Sequence, residues 1–296
     1  MRAWLRRGAA AASLASERSD LWPAGSLAWL AYLGWLPLLL AVAPPQAPDV
    51  AQLAVQLGSS GSFPLNVVAL CVAAVAVIML LCLLAALAEV ALLRRLPAGR
   101  AGEGLDHGLT QPTLMALAVI LLAAIPVLIA GAWLALSAAD VAPVVYGEPG
   151  SAATLPARLA GRLLAQLVAV SLATFAAQAI GGLALRRAIL EPGGGPGSSI
   201  VAAVAGIGRR PARWVGVAAV GWVTDALALV GSWGLLRVLW RPIGESLGPG
   251  LLGSPPALVL LVGFVAIWLS LLLVAGALRA FVSAWWLAEW RSTDDA

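Results

Sequence analysis

LALRRAILEPGGGPGSSIVAAVAGIGRRPARW, residues 183–214, sets five arginines (Arg186, Arg187, Arg209, Arg210 and Arg213) against one acid, Glu191, between two long apolar blocks. Arginine that dense beside a membrane span decides which side of the bilayer a loop occupies, because short basic loops stay cytoplasmic. The stretch therefore orients the blocks on both sides of it, and the remaining topology follows outward from there.

Composition agrees with a membrane setting. Hydrophobic residues make up 61% of the chain and charged residues 11%, with a mean hydropathy of +0.96. A soluble domain carries about 25% charge. The expected class is an all-α polytopic membrane helix bundle, so length bounds the number of spans rather than of globular cores. The net charge of +4 does not point to nucleic acid, because the arginines sit at the ends of apolar blocks. Lysine is absent. Cys71 and Cys82 fall in one block, on a single helix about 16 Å apart, too far to bridge each other.

Six blocks approach the roughly 20 apolar residues that a span needs: about 25–43, 65–93, 112–139, 160–185, 214–236 and 257–279. If both termini are cytoplasmic, the inner segments hold 14 arginines and the outer ones 4, Arg158, Arg162, Arg237 and Arg241. The reading is six spans in three hairpins in the cell membrane. Trp4, Trp22, Trp214, Trp285, Trp286 and Trp290 fall at inner boundaries, where indoles favour the headgroup layer. The run from Leu27 to Leu40 ends in Ala41-Val42-Ala43, like a signal-peptide site, but Pro44 follows directly, so an uncleaved first span is expected. Residues 50–57 carry helical spacing suited to a short outer interfacial helix, and 140–157 and 241–256 read as outer loops.

Each return into the bilayer from inside is preceded by a candidate elbow helix, amphipathic and lying on the cytoplasmic face: residues 2–22, a shorter segment before 112, and Ser198 to Ile207, broken at Gly208 and Pro211. The even spans exit alike, through Ala-Leu-Leu-Arg-Arg at 91–95, Ala-Leu-Arg-Arg at 184–187 and Ala-Leu-Arg-Ala at 277–280. The chain, a single integral membrane domain, then divides into pseudo-repeats 1–97, 98–191 and 192–296, parallel about an axis normal to the membrane. Hairpins of ordinary length give the same spacing without any repeat.

Asp225 stands near the middle of the fifth block, where an ionisable group is costly and marks a functional site by default. It reads either as a proton or cation relay or as an acid joining helices. The expected groups at its depth (Thr224, Ser171, Thr174, Gln178, Ser270) include no cation, which favours joining. Glu89 and Arg279, at inner span ends, suit a boundary salt bridge, with Arg94 or Arg95 as other partners for Glu89. Gly161, Ala165, Ala169, Ala173, Ala177 and Gly181 form a small-residue stripe of the kind that lets helices approach closely. The single histidine, His107, lies in an inner loop with Glu103 and Asp106, too few nitrogen or sulfur ligands for a metal site. No phosphate-binding loop, dinucleotide fingerprint, CxxC or haem histidine pair is present. Neither cofactor, metal nor catalysis is expected.

An elbow with arginines and a proline leading into a span, GIGRRPARWVGVAAVGWV at 206–223, together with Leu278-Arg279-Ala280-Phe281-Val282-Ser283-Ala284-Trp285, resembles the six-span membrane domain of bacterial glycerophosphodiester phosphodiesterases and related uncharacterised membrane proteins. The resemblance implies a bacterial inner-membrane protein. The soluble phosphodiesterase domain has no counterpart here, so no catalytic residues carry over.

Two functions remain in view. One is a non-enzymatic scaffold or accessory subunit, using Arg186, Arg187, Arg209, Arg210 and Arg213 to engage anionic lipid headgroups or a membrane or cytoplasmic protein partner. The other is the permease subunit of a transporter with a separate ATPase, using Asp225 as an intramembrane polar site.

Overall fold

A computed structural model describes residues 2–43, 56, 59–96, 109–147, 155–191, 194–246 and 255–294, and among these the fold is entirely helical, with no strand. Among the described residues the α-helices are α1 (Arg2–Glu17), α2 (Trp22–Trp29), α3 (Leu36–Val42), α4 (Leu65–Arg95), α5 (Thr110–Gly147), α6 (Leu155–Arg162), α7 (Leu164–Leu190), α8 (Pro196–Arg209), α9 (Pro211–Ser246) and α10 (Pro255–Asp294). The expected interfacial helix at 50–57 (Gln56 apart), the loop holding Glu103, Asp106 and His107, and the turn residues Pro97, Gly99, Pro192 and Gly193 lie outside the described residues.

Five of the helices, α4, α5, α7, α9 and α10, are long and apolar enough to cross a bilayer. The first expected span is instead two helical pieces, Ser19–Gly34 and Leu36–Val42, bent by 54°. Its sequence explains the break. Pro37 has no N–H to give Leu33 and its ring crowds that carbonyl. The backbone widens into a π-turn at Leu30–Gly34 just before it. Gly34 is required there, since a Cβ would run into the Trp29 ring.

Several boundaries differ from expectation. The segments read as outer loops are partly helical, because α5 runs on to Gly147 and α9 carries Arg237, Arg241 and Pro242 within it to Ser246. The block at 160–185 is broken at Leu163, which separates α6 from α7, so the stripe of small residues is not on one helix. The elbow before the fifth block continues through Gly208 to Arg209 and stops there, because Arg210, the residue before Pro211, leaves the helical conformation. Proline disfavours helical backbone in its predecessor, whereas glycine merely weakens a helix. At 36 and 40 residues, α9 and α10 measure about 54 and 60 Å, longer than the about 30 Å hydrocarbon layer.

The chain divides into two compact units. In the first, Met1–Gly99 with Val223–Ala288, α2 meets α10 backbone to backbone. A Cβ on Gly25 would strike the Gly276 carbonyl, and one on Gly276 would strike Ser26 and the Trp22 carbonyl. Ser26 Oγ lies 2.8 Å from both Trp22 O and Leu272 O, fastening the contact. Gly8 likewise leaves room for the Trp285 indole, which packs tilted against Trp4 with ring centroids 4.5 Å apart, so α1 seats on α10. A separate apolar cluster joins Ala41 of α3, Leu236 and Ile243 of α9, and Phe264 of α10. The first half of α4 is exposed all round, from Val68 to Leu80, an apolar surface that suits lipid.

In the second unit, Arg100–Trp222 with Glu289–Ala296, α5 packs along α7 and both hold α8. Gly181 approaches α5 at Ala123, while Gly161 has open space where a side chain would be. Of the two glycines in the small-residue stripe, only Gly181 is therefore at a close approach.

Candidate functional site

Two groups of charged side chains are drawn into the interior, one in each unit. In the first unit, α4 supplies Glu89, six residues before its end at Arg95, and α10 supplies Arg279. Arg279 donates to Glu89 Oε1 from both Nη2 (2.6 Å) and Nε (3.0 Å). The Glu89 side chain is only 1% exposed, and Ser283, one turn beyond Arg279, places its Oγ 3.5 Å from Oε2.

The third nitrogen of Arg279, Nη1, reaches Asp225 Oδ2 of α9 at 3.4 Å. The expectation that no cation lies at the depth of Asp225 is thereby corrected. Asp225 stands 14 residues after the start of α9 at Pro211, and Arg279 stands 15 residues before the end of α10 at Asp294. Measured from those helix ends rather than from the edges of the apolar blocks, the two are level. Tyr32, in the π-turn, lies with its ring 5.0 Å from the guanidinium carbon, a cation–π distance. The Gly25–Gly276 contact brings that turn against α10.

Tyr32 and Ser283 were not among the expected site residues. For Ser283 a signal existed, since it follows Arg279 by four residues and therefore shares its helix face. For Tyr32 none did, because its position depends on a bend that hydropathy does not register. Thr224 precedes Asp225 on α9, whereas Ser171 and Gln178 belong to α7 in the second unit. Ser171 turns its hydroxyl back to Leu167 O at 2.9 Å, and Thr174 does the same to Val170 O at 2.8 Å.

In the second unit, the five arginines of 183–214 do not act as one surface. Arg186 is buried, 3% exposed, and donates to Gly182 O at 2.6 Å. Arg187 pairs with Glu191 at 3.1 Å and donates to Ala202 O of α8 at 3.3 Å. Arg213 pairs with the fully buried carboxylate of Glu289 and donates to the Glu289 carbonyl at 2.5 Å. Only Arg209 and Arg210 of the five are exposed. Three expected docking arginines thus bond within the unit, and two are exposed.

The helix leading to that exposed pair has two different faces. Pro196 opens α8, and Ser199 bonds into Gly195 O through its N–H and its hydroxyl, both at 3.0 Å. Ser199 and Ala203 are buried, with Gly206 close to Leu183 of α7. Val201 and Val204 point the other way, 70% and 51% exposed, with Ala205 and Gly208 continuing their stripe to Arg209.

Outside the long helices, Arg18 and Asp20 form a bidentate pair at 2.7 and 2.8 Å. The hydrogen bond from Arg18 holds the Asp20 carboxyl below its ordinary range, assisted by the guanidinium charge. Arg95 at the end of α4 donates to Asp20 O at 2.7 Å, and Arg18 reaches Arg95 O at 3.4 Å. Among the described residues, no group of three or more His, Cys, Asp or Glu is placed to hold a metal ion.

No protein-family model matches this chain, and no curated protein and no solved structure matches it. The resemblance drawn from the elbow motif at 206–223 rests on those short motifs alone.

Proposed function

We propose that this chain is a multi-pass protein of the cell membrane, with both termini cytoplasmic, that acts without catalysis as a scaffold or accessory subunit and engages anionic lipid headgroups through its inner elbows. The observation that carries this reading is the division of α8 into a face packed on α7 and an exposed apolar stripe, Val201, Val204, Ala205 and Gly208, that runs into exposed Arg209 and Arg210. A helix so built lies in the plane of the interface, its apolar edge among acyl chains and its cations at the headgroups. Each arginine near an anionic surface contributes about 1 kcal/mol. In α1, exposed Leu5 beside exposed Arg6 repeats the combination.

Native mass spectrometry of protein released from bilayers of mixed phosphatidylglycerol and phosphatidylcholine tests it. The expected result is preferential retention of phosphatidylglycerol, reduced several-fold in Arg209→Gln/Arg210→Gln. Equal retention of the two lipids, or no change in the variant, contradicts the reading. Stoichiometric recovery of a soluble protein in place of lipid makes these arginines a protein-docking surface instead.

The permease reading draws on a different observation, the inclusion of Asp225 in a charged cluster with Arg279 and Glu89. Co-purification of a stoichiometric ATPase in gentle detergent is the result that favours it.

A further inference from the structure

We draw no further inference here: the strongest candidate, the apolar surface that the first half of α4 leaves exposed all round from Val68 to Leu80, is an unpartnered helix face, and nothing in the structure shows what covers it.

Discussion

Arg279 holds Glu89 by two nitrogens, Nε and Nη2, converging on one carboxylate oxygen that is sealed from solvent. The pair ties α10 to α4, and beside it an uncharged feature, the contact of Gly25 with Gly276, brings α2 and the Tyr32 turn alongside.

Breaking this pair from one side strands a buried charge. Arg279→Met is expected to lower stability by about 3 kcal/mol or more, whereas Glu89→Gln/Arg279→Met together recover a large part of the loss. Denaturant titration of the two single variants and the double variant in mixed micelles measures the coupling. Additive losses would show that the two side chains do not act as a pair.

The glycine contact makes a prediction with its own controls. Gly276→Ala drives a Cβ into Ser26 and the Trp22 backbone and is expected to cost about 1–3 kcal/mol, as overpacking does. Gly231→Ala and Gly263→Ala, in the same unit with open space around them, are expected to be neutral or to gain up to about 1 kcal/mol of helix propensity. Unfolding midpoints of the three variants give the comparison, and equal effects at all three positions would count against close packing of α2 on α10.

In the second unit, Arg213→Ala removes the guanidinium that pairs with the buried Glu289 carboxylate and donates to the Glu289 carbonyl, and a loss of about 3 kcal/mol is expected. Arg209→Ala, at an exposed position, is expected to stay within about 0.5 kcal/mol of wild type. The same denaturation assay reads both.

Acid also reaches the exposed Asp20 pair. The folded state lowers the Asp20 carboxyl below its ordinary value through the Arg18 hydrogen bond, so the pair contributes above the ordinary carboxylate range and is lost as pH falls through the lowered value. The stability difference between wild type and Asp20→Asn is therefore expected at neutral pH and to vanish in strong acid. The pair is exposed, so added salt should shrink the difference as well.

Much of the helical architecture was legible in the sequence because hydropathy acts locally. The five long apolar helices coincide with blocks of unbroken hydrophobicity, and Pro211, which opens α9, marks its start in the sequence. What hydropathy does not encode is where a helix bends and which backbone touches which. The π-turn at Leu30–Gly34 looks like ordinary apolar helix in the sequence, yet it places Tyr32 over Arg279. The small-residue stripe from Gly161 is visible in the sequence, while the tightest glycine approach among the described residues is at Gly25 and Gly276, whose fit depends on a partner distant in sequence. Asp225 and Arg279 were assigned different depths because the edges of apolar blocks are poor rulers when helices run beyond them. Likewise, five arginines in one stretch read as one surface until Glu191, Glu289 and the Gly182 and Ala202 carbonyls claim three of them.

The central claim, that the arginine-bearing helix ends face the cytoplasm, is most directly tested by cysteine accessibility in intact cells. In a Cys71→Ala/Cys82→Ala background, single substitutions Ser16→Cys in α1, Ser62→Cys before α4 and Ser198→Cys in α8 are treated with a membrane-impermeant maleimide. The account predicts labelling at position 62 from outside, with positions 16 and 198 labelled only after permeabilisation. Labelling of position 16 or 198 in intact cells, with position 62 protected, would contradict it.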